Sequence, residues 1–359
     1  MDSVTQIMLG AAVGQAVIGH KVGRKALVWG AICGTLPDLD VFIPFGGAVE
    51  DFTFHRSFSH SLLVQALIAP LIVWIILKCH PQTREHRQRW FWLVLLALWT
   101  HALLDSFTVY GTQLFWPLSE YPVGFSSIFI IDPIYTVPLI IGVCAAAIIR
   151  RHPQQGIWLN YAGLFLSSLY LGWTLIAKGL IEHRLETAMA DQGIESDKIL
   201  TTPAPFNTLL WRAVIMDDTQ YHEAYLSVLD TPEDMTINSY PTEPALLTAL
   251  EDEWGVQRLQ WFTKGFYIVR QEGDQVVLSD LRMGVEGSYV FNFQVGSINQ
   301  EPEHRGVIFP GTYKRVEHPR DLNRLSSIWA RIWDASISLA PMPPTLSQSP
   351  TLESCSEPC

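Results

Sequence analysis

Residues 34–61 read GTLPDLDVFIPFGGAVEDFTFHRSFSHS, and they follow a stretch that is almost purely apolar. Four acids (Asp38, Asp40, Glu50, Asp51) and two histidines (His55, His60) fall within this segment. Ionisable groups beside long apolar runs are costly unless something pairs with them or binds them, so their presence points to function. Pro37 ends the preceding helix and sets Asp38 and Asp40 two residues apart, where two carboxylates can approach one ion or two neighbouring ones.

Outward from this stretch the chain divides in two. Apolar segments run at 4–19, 26–37, 61–77, 90–110, 128–149 and 157–178. The last two reach the roughly 20 residues that a bilayer crossing needs. The first two are short and rich in Gly and Ala, as suits close-packed helices. Overall 48% of residues are hydrophobic and 16% charged, which is oily for a water-soluble protein. Residues 1–180 carry 11 Lys/Arg and 9 Asp/Glu, and residues 181–359 carry 13 and 26. The first part is thus about +2 and the second about −13, matching the net charge of −11.

The expected fold class is mainly α: a multi-pass transmembrane helical bundle with a small C-terminal α+β extramembrane domain. Its parts are a membrane domain at 1–180, an acidic domain at 181–340 and a disordered Pro/Ser-rich tail at 341–359. In the second part, residues 209–230 pair two β-like runs across an Asp-Asp-Thr turn. Residues 243–254 read as a helix, and 259–284 and 288–296 as aromatic and β-branched strand runs. The basic connections 20–26, 78–90 and 150–153 each follow an odd-numbered segment. The positive-inside rule then gives an inner-membrane protein with N-out, C-out topology. Cys33, Cys79, Cys144, Cys355 and Cys359 lack C-x-x-C spacing and read as free thiols.

In the fourth segment, "WTHALLDSFT" sets His101 and Asp105 at i and i+4, hence on one helical face. Asp38, Asp40, His55, His60, His101 and Asp105 then all come to the outer end of their segments. Six such groups suit one to three divalent ions: Zn²⁺, with Mn²⁺ or Mg²⁺ as carboxylate-tolerant alternatives. Asp40 and Asp105 are the expected proton acceptors. Secondary candidates carry two readings each. Asp2 and Gln6 either support the metal ligands or start a helix. Asp132 either orients a ligand histidine or caps the helix begun at Pro133. Arg56 and Ser59, between the two histidines, are weaker candidates for contact with a phosphate. Ser57, Ser59 and Ser61 lack a G-x-S-x-G elbow. His222, His304 and His318 read as scattered surface residues. An acidic soluble half without a basic patch speaks against nucleic-acid binding.

With these residues in view, residues 1–180 resemble the YdjM-like family of predicted membrane-bound metal-dependent hydrolases. The resemblance is carried by MDSVTQIMLGAAVG, GTLPDLDVF, HRSFSHS, HALLDSFTVYGTQLFWPLS and FIIDPIY. PAPFNTLLWRAVI through LSDLRMG resembles the extension of longer members. One departure is Gln6, where members often carry His. The resemblance implies hydrolase activity, and a more distant likeness to zinc-dependent phospholipase C implies phosphoester cleavage. Membrane lipids and a lipid or lipid-linked substrate are the partners so implied. The rival expectations are a non-catalytic protein whose metal holds the helices together, and a metal or proton transporter with ligands spread across membrane depth.

Overall fold

A computed structural model describes residues 1–149, 153–231, 235–301, 306–318 and 324–340. The Pro/Ser-rich tail, Cys355, Cys359, His304 and the Arg150–Arg151 pair lie outside these residues. The N-terminal half is helical and the C-terminal half is built on β-sheet.

Two helices open the chain, α1 (Ser3–Val22) and α2 (Arg24–Thr35). Asp2 caps α1 by accepting from the Val4 and Thr5 amides, which settles its role as a helix start. Gly10, Gly14, Gly30 and Gly34 line the α1–α2 crossing, and a Cβ on Gly10 or Gly30 would collide with the other's backbone. The Gly/Ala-rich sequences therefore let two backbones touch. After α2 the chain tightens into a 3-10 segment, Leu36–Phe42, followed by α3 (Ala48–Phe54).

Next come α4 (Leu62–Cys79), α5 (Arg87–Ser106), α6 (Pro133–Ile148) and α7 (Pro153–Asp191). Helix α5 is the centre of this half: Trp90, Leu93, Val94, Leu98 and Ala102 are buried along it. Helices α4, α6 and α7 instead expose Leu67, Leu71, Ile141, Phe165 and Leu169, the faces expected of helices that meet hydrocarbon. Among the described residues, two helices are long and apolar enough to cross a membrane, Leu62–Cys79 and Gln154–Asp191; Pro133–Ile148 is a shorter apolar helix.

Helix α7 runs unbroken through residue 180 and ends deep in the second half. Its last turns (Ile181, Leu185, Ala188) pack on Trp211, Ala213 and Leu226. These belong to an antiparallel sheet of β1 (Ile199–Pro203), β2 (Leu210–Met216), β3 (Gln220–Ser227) and β4 (Ile237–Pro241), in the order β1-β2-β3-β4. The β2–β3 hairpin turns at Asp217–Thr219, where the sequence placed it.

Then come a 3-10 segment, Pro244–Leu250, and α8 (Trp254–Phe262). Residues 259–262, expected as strand, are thus helical, and the helix expected at 243–254 is largely 3-10. The reason is visible in the packing. Val256, Leu259 and Phe262 lie three residues apart and bury together, a helical period that the aromatic content of LQWF obscured. A second antiparallel sheet follows, with β5 (Tyr267–Glu272), β6 (Gln275–Asp280), β9 (Asn292–Ile298) and β10 (Ile308–Pro310) in the order β10-β9-β6-β5. A ribbon of β7 (Gly284–Val285) and β8 (Ser288–Tyr289) and a final helix α9 (Arg324–Arg331) complete the domain.

The two halves share a core. Val49 and Phe52 of α3 and Tyr110 pack with Phe262, Phe291 and Phe293. Arg282 is held bidentately by Asp280 and donates to the Tyr110 carbonyl at 3.0 Å. Arg258 donates to Thr53 Oγ1 at 3.1 Å and to Glu120 at 3.0 Å. The C-terminal domain thereby clamps α3, just before His55, and the loop that follows α5.

Candidate metal centre

Helix α5 turns His101 and Asp105 to the same side, and both are fully buried. The 3-10 segment brings up Asp38, and the turn before α4 brings up His60, also fully buried. One ligand atom from each of Asp38, His60, His101 and Asp105 lies within 4.8 Å of all the others. The two imidazole Nε2 atoms are 3.1 Å apart. His60 Nε2 is 3.1 Å from Asp105 Oδ2 and 3.5 Å from Asp38 Oδ1. His101 Nε2 is 3.4 Å from Asp38 Oδ1 and 3.5 Å from Asp105 Oδ2.

Neighbouring bonds set the protonation of each ring. His101 Nδ1 is 2.7 Å from the Gly34 carbonyl, which can only accept. Nδ1 therefore carries a proton, and Nε2 is the nitrogen that faces the group. Ser59 donates its hydroxyl to Asp40 Oδ2 at 2.6 Å, so its oxygen accepts from His60 Nδ1 at 2.8 Å. His60 Nδ1 carries a proton by the same logic, and its Nε2 is the nitrogen that faces the group. Two imidazole Nε2 atoms and two carboxylate oxygens thus converge on one point. Asp105 Oδ2 is buried and has no hydrogen-bond partner. A divalent cation at the centre would engage all four atoms at once. A zinc ion with ligands at about 2.0–2.1 Å gives tetrahedral edges of about 3.3–3.4 Å, within the range seen here. The residues fit a divalent metal.

Asp40 and His55, both expected as ligands, stand beside this group and pair with each other. His55 Nδ1 is 2.8 Å from Asp40 Oδ1, and the Arg56 amide donates to Asp40 Oδ2 at 2.9 Å. Arg56 adopts φ 61° to make that bond. Burial would raise the Asp40 carboxyl, but the His55 hydrogen bond, the charges of both histidines and the Ser59 hydroxyl outweigh it and hold it below its ordinary value. His55 keeps partial exposure and lines a cavity of about 680 Å³ together with Asp40.

Gln6 is a member of the site. It donates through Nε2 to Asp105 Oδ1 at 2.9 Å, and the Met1 nitrogen donates to the same oxygen. Arg56 is buried; its Nε lies 3.3 Å from Asp105 Oδ2 and Nη1 donates to Thr108 at 3.2 Å. Ser59 bridges Asp40 and His60. Asp132 caps α6 through the Ile134 and Tyr135 amides and accepts from Tyr170 at 2.9 Å, away from the four ligands. His222, expected at the surface, is buried and bonded to Ser239, while His318 pairs with Glu272. Cys33, Cys79 and Cys144 are free thiols.

The family model of the YdjM inner membrane protein matches residues 1–181, and the chain belongs to that family. The uncharacterized protein YfhP of Bacillus subtilis (strain 168) is 26% identical over 312 residues, which cover 81% of this chain and 89% of YfhP. The inner membrane protein YbcI of Escherichia coli (strain K12) is 34% identical over 128 residues, 33% of this chain and 68% of YbcI. The first similarity runs through much of both halves, while the second is shorter than the helical half. No solved structure matches.

Proposed function

We propose that this inner-membrane family member is a metal-dependent hydrolase acting on a phosphoester of a lipid or lipid-linked substrate. The observation that carries the reading is the convergence of one ligand atom each from His60, His101, Asp38 and Asp105 on a single buried point. These four residues would hold one divalent ion, Zn²⁺ first, with Mn²⁺ or Mg²⁺ as alternatives. Such an ion polarises the scissile ester and brings a bound water toward a neutral pKa.

The rest falls to the chain's own side chains. Asp38 keeps partial exposure while the other three are closed off, so substrate would arrive on the Asp38 side. The sequence assigned proton transfer to Asp40 and Asp105. Asp105 has Gln6 and Met1 on one oxygen and faces the ligand group with the other, so it serves better as a ligand. Asp40 accepts three hydrogen bonds and orients His55, which lines the cavity. His55 is therefore the proton carrier, in the way a carboxylate fixes an imidazole base. Gathering of the ligands at one point favours a single reaction centre over a transport path, which would distribute ionisable groups along the membrane normal. The basic-loop pattern supports N-out, C-out insertion with the centre at the extracytoplasmic face.

The test is turnover of a phosphodiester and lipid-phosphoester panel by purified protein, before and after chelation. Chelation should abolish hydrolysis and added Zn²⁺ or Mn²⁺ should restore it. His55→Ala should keep its metal yet lose about 10²-fold or more in kcat. Stoichiometric metal with no hydrolysis of any member of the panel would leave a purely structural ion and refute the enzyme.

A further inference from the structure

The cavity beside His55 is closed by residues from far along the chain. Phe291 and Arg315 of the C-terminal domain line it together with Asp40, His55 and the apolar run Val41–Phe45. Aromatic rings connect the two sides. The His55 and Tyr110 rings are 5.5 Å apart, the Tyr110 and Phe291 rings 6.0 Å, and the Arg315 guanidinium sits 4.5 Å from the Phe291 ring centre. Arg315 is anchored by its backbone. It bridges Phe293, and the bonds from Gln294 N to Lys314 O and from Val316 N to Asn292 O flank it at 2.9 Å.

Among the described residues Arg315 makes no ion pair, and the two carboxylates lining the cavity are engaged elsewhere. Asp40 is bonded by His55, Arg56 and Ser59, and Asp51 accepts from the Phe45 amide at 2.7 Å. A planar guanidinium on an aromatic face, open to a cavity, is suited to a phosphate or carboxylate. The opposite wall is apolar and outward-facing: Val41 is 66% exposed and Phe42 80%. A face of that kind suits acyl chains.

The geometry points to the C-terminal domain as one wall of the substrate chamber, with Arg315 selecting an anionic amphiphile. The charged group would rest on Arg315 and the apolar part along Val41–Phe45. This deepens the hydrolase reading and rests on it for the identity of the ligand as substrate.

Binding is measured on the full chain in zwitterionic nanodiscs after chelation, so no turnover enters. The probes are dihexanoyl phosphatidic acid, uncharged dihexanoylglycerol and inorganic phosphate. The wild type should hold the phosphatidic acid about tenfold or more tighter than the glyceride, the scale of one charge-assisted contact. Arg315→Gln should erase that preference at unchanged thermal stability, and Arg315→Lys should keep part of it. Phe42→Ser should weaken both amphiphiles and leave inorganic phosphate untouched. Equal preference in Arg315→Gln and wild type overturns the proposal, as does inorganic phosphate binding as tightly as the phosphatidic acid. Missing hydrolysis by the metal-loaded protein alongside an intact Arg315 effect would refute the hydrolase reading alone.

Discussion

His101 is held by a carbonyl on one nitrogen and faces three potential ligands with the other. The Gly34 carbonyl reaches it because α1 lies so close to α2 at that level, where a Cβ on Gly34 would strike the Gln6 backbone. Gln6 in turn fixes Asp105 by bonding Oδ1 and leaving Oδ2 for the centre. Partners of metal ligands tune affinity by orienting them, typically by about 10–100-fold. Gln6→Leu should therefore weaken zinc affinity by roughly tenfold or more while helical content by circular dichroism stays the same. Unchanged affinity, read by competition with a chromophoric chelator, would separate Gln6 from the centre. At this scale the sequence was informative where spacing is short. The i, i+4 pair His101 and Asp105 could be read directly from one helical face. The pairing of His55 with Asp40 and the inward turn of Arg56 could not, because both follow from a positive-φ residue in a tight loop.

Among the elements, the α1–α2 pair carries the tightest requirement. Gly10 and Gly30 face each other across the crossing, with no room for a methyl group on either. Gly30→Ala should cost roughly 1–3 kcal/mol by overpacking, seen as a lowered thermal midpoint and lost yield in detergent. Gly172→Ala, on α7 with open space around its Cβ position, is the matched control and should be neutral or stabilising. A tolerated Gly30→Ala would mean that the helices sit farther apart than described. The Gly/Ala run made this pairing legible from sequence. Helix α8 was not legible in the same way. Trp261, Phe262, Phe266 and Tyr267 mimic a strand run, and only the shared burial of Val256, Leu259 and Phe262 separates the helix from β5. Helix α7 continues past residue 180, and what local sequence did not show is that this extension forms the floor of the first sheet.

Across the whole molecule, four candidate ligands from the 3-10 segment, the turn before α4 and α5 meet at one point, and a domain more than a hundred residues away lines the adjoining cavity. The division into an oily first half and an acidic second half was plain from composition. That the second half clamps the site through Arg258 and Arg282 was not, since no local pattern announces a contact between Arg282 and Tyr110. Residues so separated come together only if the fold of both halves is right. The central claim is thus tested most directly by X-ray absorption at the zinc edge on the purified full chain. One zinc per chain, with two imidazole nitrogens and carboxylate oxygens at about 2.0–2.1 Å, is the predicted result, and His101→Ala should lose it. Absence of stoichiometric metal, or a coordination shell without imidazole, would contradict it.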